Sequence, residues 1–263
     1  MAAALTSRTF AVTGSASGIG AATARLLARR GAAAIYIGDV NTAGFDQMKP
    51  ELAAINPGTK VHTRTVDVSV PEQVDAWFSE IKQGGTGLHG LANVAGLAGR
   101  QVSNKPGSKL LEETVEQWRK AMGVNIDGAF YCSRAAVKLM QSMPKDSNPA
   151  IVNVASMAAI FHSGSNFGYG TAKAGLVHFT TSAAKDLYDL GIRVNWCSSG
   201  TTNTPILDRA FEGQNRDETI KMLQSQGLKA MEPSSIARVI LWLLSEDSLD
   251  VSGVNIPVGQ GIP

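Results

Sequence analysis

Seven short apolar runs, separated by longer stretches with helical patterning, constrain this chain more than any other feature. The runs are residues 8–13, 33–38, 61–66, 88–94, 150–155, 193–197 and 253–258. Several are apolar without alternation, the pattern of strands buried on both faces of a parallel sheet. Residues 18–30 form a helical stretch that ends at Gly31, a natural stop after a helix. Ser69-Val70-Pro71-Glu72 has the form of a capping box and predicts a helix to about Lys82. Thr114-Val115-Glu116-Gln117 opens a further helical region through Asn125 to about Met140, interrupted near Gly123. Residues 169–188 are Ala-rich and helical, and 233–244 form the last helix, with Pro233 in its first turn. The alternation predicts right-handed βαβ units. The fold class is therefore α/β: a doubly wound, seven-stranded parallel sheet with helices on both faces. No linker or repeat divides the chain, so 1–263 reads as one domain. Within it, the long irregular stretch 198–227 reads as a substrate lid.

Such sheets bind ligands in the crevice beyond the carboxyl ends of their strands. After the first run comes Thr13-Gly14-Ser15-Ala16-Ser17-Gly18-Ile19-Gly20, leading directly into a helix. Glycine permits the tight turn and close approach of backbone to a pyrophosphate, and the helix N-terminus offers free N–H groups to it. Asp39 ends the second run, 19 residues past Gly20. That is near the ~20 residues expected for a carboxylate on the adenosine ribose. Its charge would accept a 2′-hydroxyl and repel a 2′-phosphate. The neighbours Ser15, Ala16, Ser17, Val40 and Asn41 bring no cation to offset the repulsion. The expected cofactor is therefore NAD. The plainer reading of Asp39 is a turn residue capping the Asn41 region. A phosphate-binding loop of the Gly-Lys-Ser/Thr kind is absent.

Tyr169 and Lys173 stand four apart on a predicted helix, hence on one face. A free phenol titrates near ~10, too high for a base at neutral pH, and a nearby ammonium favours its ionised form. Tyr169 could then take a proton from an alcohol or return one to a ketone. Ser156, just past a strand end, could hydrogen-bond the same substrate oxygen. Taken singly, the plain alternatives are a solvated helix face, a strand-end cap at Ser156 and a filled helix kink at Asn125.

The spacing Thr-Gly-x-x-x-Gly-x-Gly, followed in order by Asp67-Val68, Asn93-Val94-Ala95-Gly96, Asn125, Ser156, Tyr169-x-x-x-Lys173 and Asn195 leading to Gly200 and Thr204, resembles the short-chain dehydrogenase/reductase (SDR) family. The resemblance runs from Thr9 to about Val258. It implies a catalytic set of Ser156, Tyr169, Lys173 and Asn125, with Asn125 anchoring a water in a proton relay. It also implies cofactor contacts from Gly14, Ser17, Gly18, Ile19, Gly20, Asp39, Val40, Asp67, Val68, Asn93, Ala95, Gly96, Tyr169, Lys173, Gly200, Thr202 and Thr204. Asp67 would meet the adenine, Lys173 the nicotinamide ribose and Thr204 the carboxamide. The sequence departs from the family pattern at Val94, where a second Asn is usual, and at Ser199-Gly200, where Pro-Gly is usual. It also departs at Val258-Gly259-Gln260-Gly261, which lacks an acidic residue. Ser199 in place of proline implies a freer lid.

The expected activity is NAD(H)-dependent interconversion of a secondary alcohol and a ketone on a mostly apolar small molecule, with secondary-metabolite biosynthesis as the expected setting. The apolar preference rests on Leu97, Ala98, Phe161, Phe167, Leu207 and Phe211. The alternatives are the same scaffold turned to non-redox chemistry (a cyclase or isomerase) and a non-enzymatic dinucleotide sensor. A net charge of +2 without a basic cluster points away from nucleic-acid and membrane-surface partners. The longest apolar runs, such as 239–244, fall far short of the roughly 18 residues of a membrane span. Two cysteines and four scattered histidines predict neither a disulfide framework nor a metal site, and the expected compartment is the cytoplasm. The resemblance implies a homotetramer or homodimer, with Ala172, Ala174, Ala183 and Ala184 as small residues for helix packing at its interface.

Overall fold

The apolar runs become β1 (Thr9–Thr13), β2 (Ala34–Asp39), β3 (Lys60–Thr65), β4 (Gly90–Asn93), β5 (Ala150–Ser156), β6 (Arg193–Ser199) and β7 (Asn255–Val258). All pair in parallel, in the order β3-β2-β1-β4-β5-β6-β7. This is a computed structural model; it describes residues 5–99, 107–162, 164–210, 215–225 and 230–259. The helices are α1 (Gly18–Arg29), α2 (Ala43–Ile55), α3 (Pro71–Gln83), α4 (Lys109–Glu112), α5 (Val115–Met122), α6 (Gly128–Met140), α7 (Phe167–Asp186), α8 (Pro205–Ala210), α9 (Arg216–Ser225) and α10 (Pro233–Leu244).

Two apolar layers sandwich the sheet. On one face α1, α2 and α10 bury Leu27, Met48 and Ile240 against Phe10 and Val12. On the other, α3, α6 and α7 bury Trp77, Cys132 and Ala184 against Leu91 and Ile151. Parallel strands buried on both faces need continuous apolar sequence, which is why the runs were legible. β3 lies at the edge, and its sequence is correspondingly polar and exposed.

Strand order reverses between β1 and β4, so their carboxyl ends border a crevice. Thr13 bridges it: its Oγ1 accepts the amides of Val94 at 2.9 Å and Ala95 at 3.0 Å. The Val94 departure leaves this bridge intact, because backbone makes it.

Four local expectations are corrected. Ser69 does not cap α3, because its hydroxyl donates to Asp67 Oδ1 at 2.6 Å; Val70 occupies the capping position without a side-chain bond. α2 went unread in the sequence because Pro50, a breaker by composition, lies inside it. α7 begins at Phe167 and ends at Asp186, two residues earlier at each end than expected. The stretch 198–227 is not irregular: it carries the end of β6, α8 and α9, while its residues 211–214 and 226–227 lie outside those described. The Thr114 capping box forms as expected, with reciprocal bonds to Gln117. The interruption at Gly123 is a π-helical turn, Gly123–Asp127, that keeps the chain helical from α5 into α6.

Candidate active site

The glycine turn closes tightly enough to exclude side chains. Gly14 has φ +63°, and a Cβ there would lie 2.7 Å from Ala95 Cα; one at Gly20 would lie 2.2 Å from Gly14 O. Ser17 starts α1 in an extended conformation, and no side chain caps the helix. The first-turn amides of Gly18, Ile19 and Gly20 therefore remain for an anion. This bare helix end, behind a cradle that any Cβ would fill, fits a dinucleotide pyrophosphate.

Asp39 is half-buried, and its carboxylate accepts Ala16 N–H and Asn41 N–H, each at 2.9 Å. It is thus a turn cap, as the plainer reading held, and it also pins the glycine turn to β2. Each oxygen keeps lone pairs for a ribose hydroxyl. Val40 beside it is exposed. Asp67 Oδ1 accepts the amide and hydroxyl of Ser69, and Val68 is buried against Gly128. Thr204 reaches across to the start of α1, its Cγ2 standing 3.0 Å from where a Gly18 Cβ would be. Its hydroxyl donates to Thr202 O at 3.3 Å, and that of Thr202 to Gly200 O at 2.9 Å.

The Asn93 side chain departs from a cofactor-facing role, which leaves its backbone for the expected contact. Its amide nitrogen donates to Asn153 Oδ1 at 2.8 Å and to Ser133 Oγ at 3.0 Å, and Asn153 donates on to Thr180. That buried polar chain ties β4 and β5 to α6 and α7, so the Asn93 side chain is structural. Ser199 departs too. It is paired on both sides, with β5 and β7, so it is a strand residue and not a loosened hinge. Its hydroxyl donates to Ala155 O at 3.4 Å. Gln260 and Gly261 of the C-terminal departure lie outside the described residues.

Ser156, Tyr169 and Lys173 meet at one cavity of about 770 Å³, which Ile19, Gly96 and Thr204 of the cradle also line. β5 delivers Ser156 at its end, and α7 delivers the other two from successive turns. The Ser156 hydroxyl bonds that of Tyr169 and accepts Ala158 N–H at 3.2 Å. Lys173 is 4% exposed; its ammonium donates to Val154 O at 2.8 Å and stands 5.8 Å from the Tyr169 ring centroid. Burial pulls the lysine down from 10.5 to about 8.

Burial also holds the Tyr169 phenol above its ordinary value, opposed only by the Ser156 bond. The expected lowering belonged to Lys173 acting together with an oxidised nicotinamide ring; in the cofactor-free chain the ammonium stands 5.8 Å from the Tyr169 ring centroid, with one of its three N–H donors on Val154 O. Asn125 sits in the π turn, a common device at functional sites. Its amide donates to Leu97 O and Ala121 O, each at 2.9 Å, and accepts Leu97 N–H at 3.1 Å. It thereby clamps the loop after β4 beside Lys173.

The cavity wall includes Ala98, Phe161, Phe167 and Leu207, as expected, together with Ile206 and His162. Leu97 is not part of it, and Phe211 lies outside the described residues. Ala172 and Ala184 are buried within the chain, so they cannot pack a partner. Cys132 and Cys197 are free, and burial pushes both thiols up. Among the described residues no group of His, Cys, Asp or Glu is placed to hold a metal, and no helix is long and apolar enough to cross a membrane. Sequence reading missed Glu113. Its carboxylate accepts Phe167 N–H and Gly168 N–H at the start of α7, each at 2.7 Å. A partner 54 residues away leaves no local signal.

Comparison with known proteins points to one family. A family profile described as enoyl-(acyl carrier protein) reductase matches residues 14–263. Chanoclavine-I dehydrogenase ifgE of Penicillium roqueforti is 45% identical over 99% of this chain and 100% of its own. Chanoclavine-I dehydrogenase of Aspergillus fumigatus is 43% identical over the same shares. Among solved structures, levodione reductase superposes with a TM-score of 0.87 at 29% identity, covering 98% of each chain.

Proposed function

The chain belongs to the short-chain dehydrogenase/reductase family of NAD(P)-dependent oxidoreductases acting on CH–OH groups, and on that premise we propose that it oxidises chanoclavine-I, or a compound of closely similar shape, with NAD. One observation carries the reading: Ser156, Tyr169 and Lys173 converge on a cavity that adjoins the uncapped start of α1. The relatives supply the substrate class, through 43–45% identity over essentially full length. The largely apolar wall of Phe161, Phe167, Ile206 and Leu207 suits a mostly apolar substrate. The intact trio gives no support to the non-redox alternative or the sensor.

The α1 amides would hold the pyrophosphate, Asp39 the adenosine ribose, Asp67 the adenine, Lys173 the nicotinamide ribose and Thr204 the carboxamide. When bound, the nicotinamide supplies the hydride acceptor or donor. Ser156 holds the substrate oxygen by a hydrogen bond that strengthens as negative charge develops there. Tyr169 removes the hydroxyl proton, or returns it in reduction. Lys173, drawn down to about 8 by burial, would place its charge beside Tyr169 and the nicotinamide ribose. NAD would be favoured over NADP because the Asp39 carboxylate would meet the ribose and repel a 2′-phosphate, and its neighbours Ala16, Val40 and Asn41 bring no cation. A homotetramer or homodimer in the cytoplasm completes the proposal; the two free, buried thiols suit a reducing compartment.

The test is NADH fluorescence during a screen of chanoclavine-I alongside unrelated alcohols and ketones. NADH formation with chanoclavine-I, lost in Tyr169→Phe, supports the reading. Turnover confined to unrelated substrates overturns the substrate, and unchanged turnover by Tyr169→Phe overturns the mechanism.

A further inference from the structure

We propose that Glu113 is a positioning residue for Tyr169, acting through the N-terminus of α7. The inference rests on Tyr169 as the proton donor and acceptor. The start of α7 has no cap of its own: Asn166 adopts a left-handed conformation, φ 53°, and its side chain makes no capping bond. The first two helical amides instead donate to the two oxygens of one carboxylate, Phe167 N–H to Oε2 and Gly168 N–H to Oε1, both at 2.7 Å. Those are short, charge-assisted bonds, and the carboxylate also faces the positive end of a 20-residue helix.

The clamp is rigid at its own root. Glu113 immediately precedes Thr114, whose amide and hydroxyl are both tied to Gln117 in the capping box of α5. Its approach is equally constrained. A Cβ at Gly168 would lie 2.7 Å from Glu113 Oε1 and 3.2 Å from Trp118 Cα, so glycine is what lets α5 and the carboxylate seat this closely. Tyr169 is the next residue, and Asn166, Phe167 and Tyr169 all line the cavity. Two parallel bonds to adjacent amides fix the tilt of this first turn against α5, and hence the direction from which Tyr169 meets Ser156.

Lys173 lies a turn further on and has its own anchor at Val154 O. Loss of the clamp should therefore disturb the tyrosine and spare the lysine. That separation distinguishes positioning from general support, because cofactor affinity follows Lys173 and the α1 cradle.

The experiment compares Glu113→Ala, Glu113→Gln and Tyr169→Phe by kcat on chanoclavine-I or the best alcohol found, by NADH dissociation constant and by amide hydrogen exchange. Glu113→Ala should lower kcat by about 10- to 100-fold, with NADH affinity held within about two-fold. Glu113→Gln keeps one acceptor and should recover to within about five-fold of the native kcat. Exchange should rise at the Phe167 and Gly168 amides and stay slow around Lys173. A Glu113→Ala enzyme with native kcat, or one whose kcat and NADH affinity fall together, overturns the proposal. If Tyr169→Phe is inactive while Glu113→Ala is normal, only this inference fails; if Tyr169→Phe is active, the proposed mechanism fails with it.

Discussion

Lys173 should make the cofactor-free protein less stable than it would be without it. The side chain is almost fully buried, with a hydrogen bond to Val154 O and no carboxylate partner among the described residues. Its fall from 10.5 to about 8, at about 1.4 kcal/mol per pH unit, amounts to a penalty of about 3 kcal/mol on the charged form. Below pH 8 the lysine is protonated in both folded and unfolded chains, and the whole penalty is present. Between pH 8 and 10.5 the unfolded chain binds the proton and the folded chain does not, so stability rises with pH across that window. Lys173→Met keeps an unbranched apolar stem and removes the charge, but leaves Val154 O without its donor, at a cost of about 1–3 kcal/mol. The net expectation is a variant more stable than the native chain by about 0–2 kcal/mol at pH 7, and inactive. Urea unfolding of both proteins without cofactor, at pH 7, 9 and 10.5, checks this. Every other titrating group is common to the pair, so the difference isolates Lys173. The native chain should gain about 3 kcal/mol relative to the variant between pH 8 and 10.5. A difference flat across that window, or a variant clearly less stable at pH 7, would refute the reasoning.

Tyr169→Phe should abolish turnover while leaving the NADH dissociation constant within about two-fold, measured by fluorescence titration, since it deletes a proton donor and not a dinucleotide contact. NADH should bind at least about ten-fold more tightly than NADPH, and Asp39→Ala should narrow that gap; equal affinities in the native protein would count against the role given to Asp39. Asp39→Ala should also lower the melting temperature, because Ala16 and Asn41 amides lose their acceptor. Gly20→Ala, whose Cβ would meet Gly14 O at 2.2 Å, should eliminate NADH binding and cost about 1–3 kcal/mol in urea unfolding.

Much of the architecture was legible because the features that specify it are local. Strands buried on two faces must be apolar without alternation, so the runs ending at Thr13, near Asp39 and near Ser156 announce themselves. A glycine that tolerates no Cβ marks its turn wherever it falls, and residues four apart on a helix share a face before anything else is known. Elements whose signals conflict locally were not legible. Pro50 hid α2, and the polar sequence of α9 hid a helix in what read as a loop.

The sequence by itself determined the strand order's raw material, the glycine cradle and the identities of Ser156, Tyr169 and Lys173. Only the tertiary structure decided what those groups experience. It turned the Asn93 side chain into a buried chain with Asn153 and Thr180, and held Ser199 between two strands. It aimed the Lys173 ammonium at Val154 O and brought Glu113 to the start of α7. Spacing along a chain fixes which side chains share an element. Burial and the partners that meet a group across elements fix its charge and direction, and those are set by residues tens of positions away.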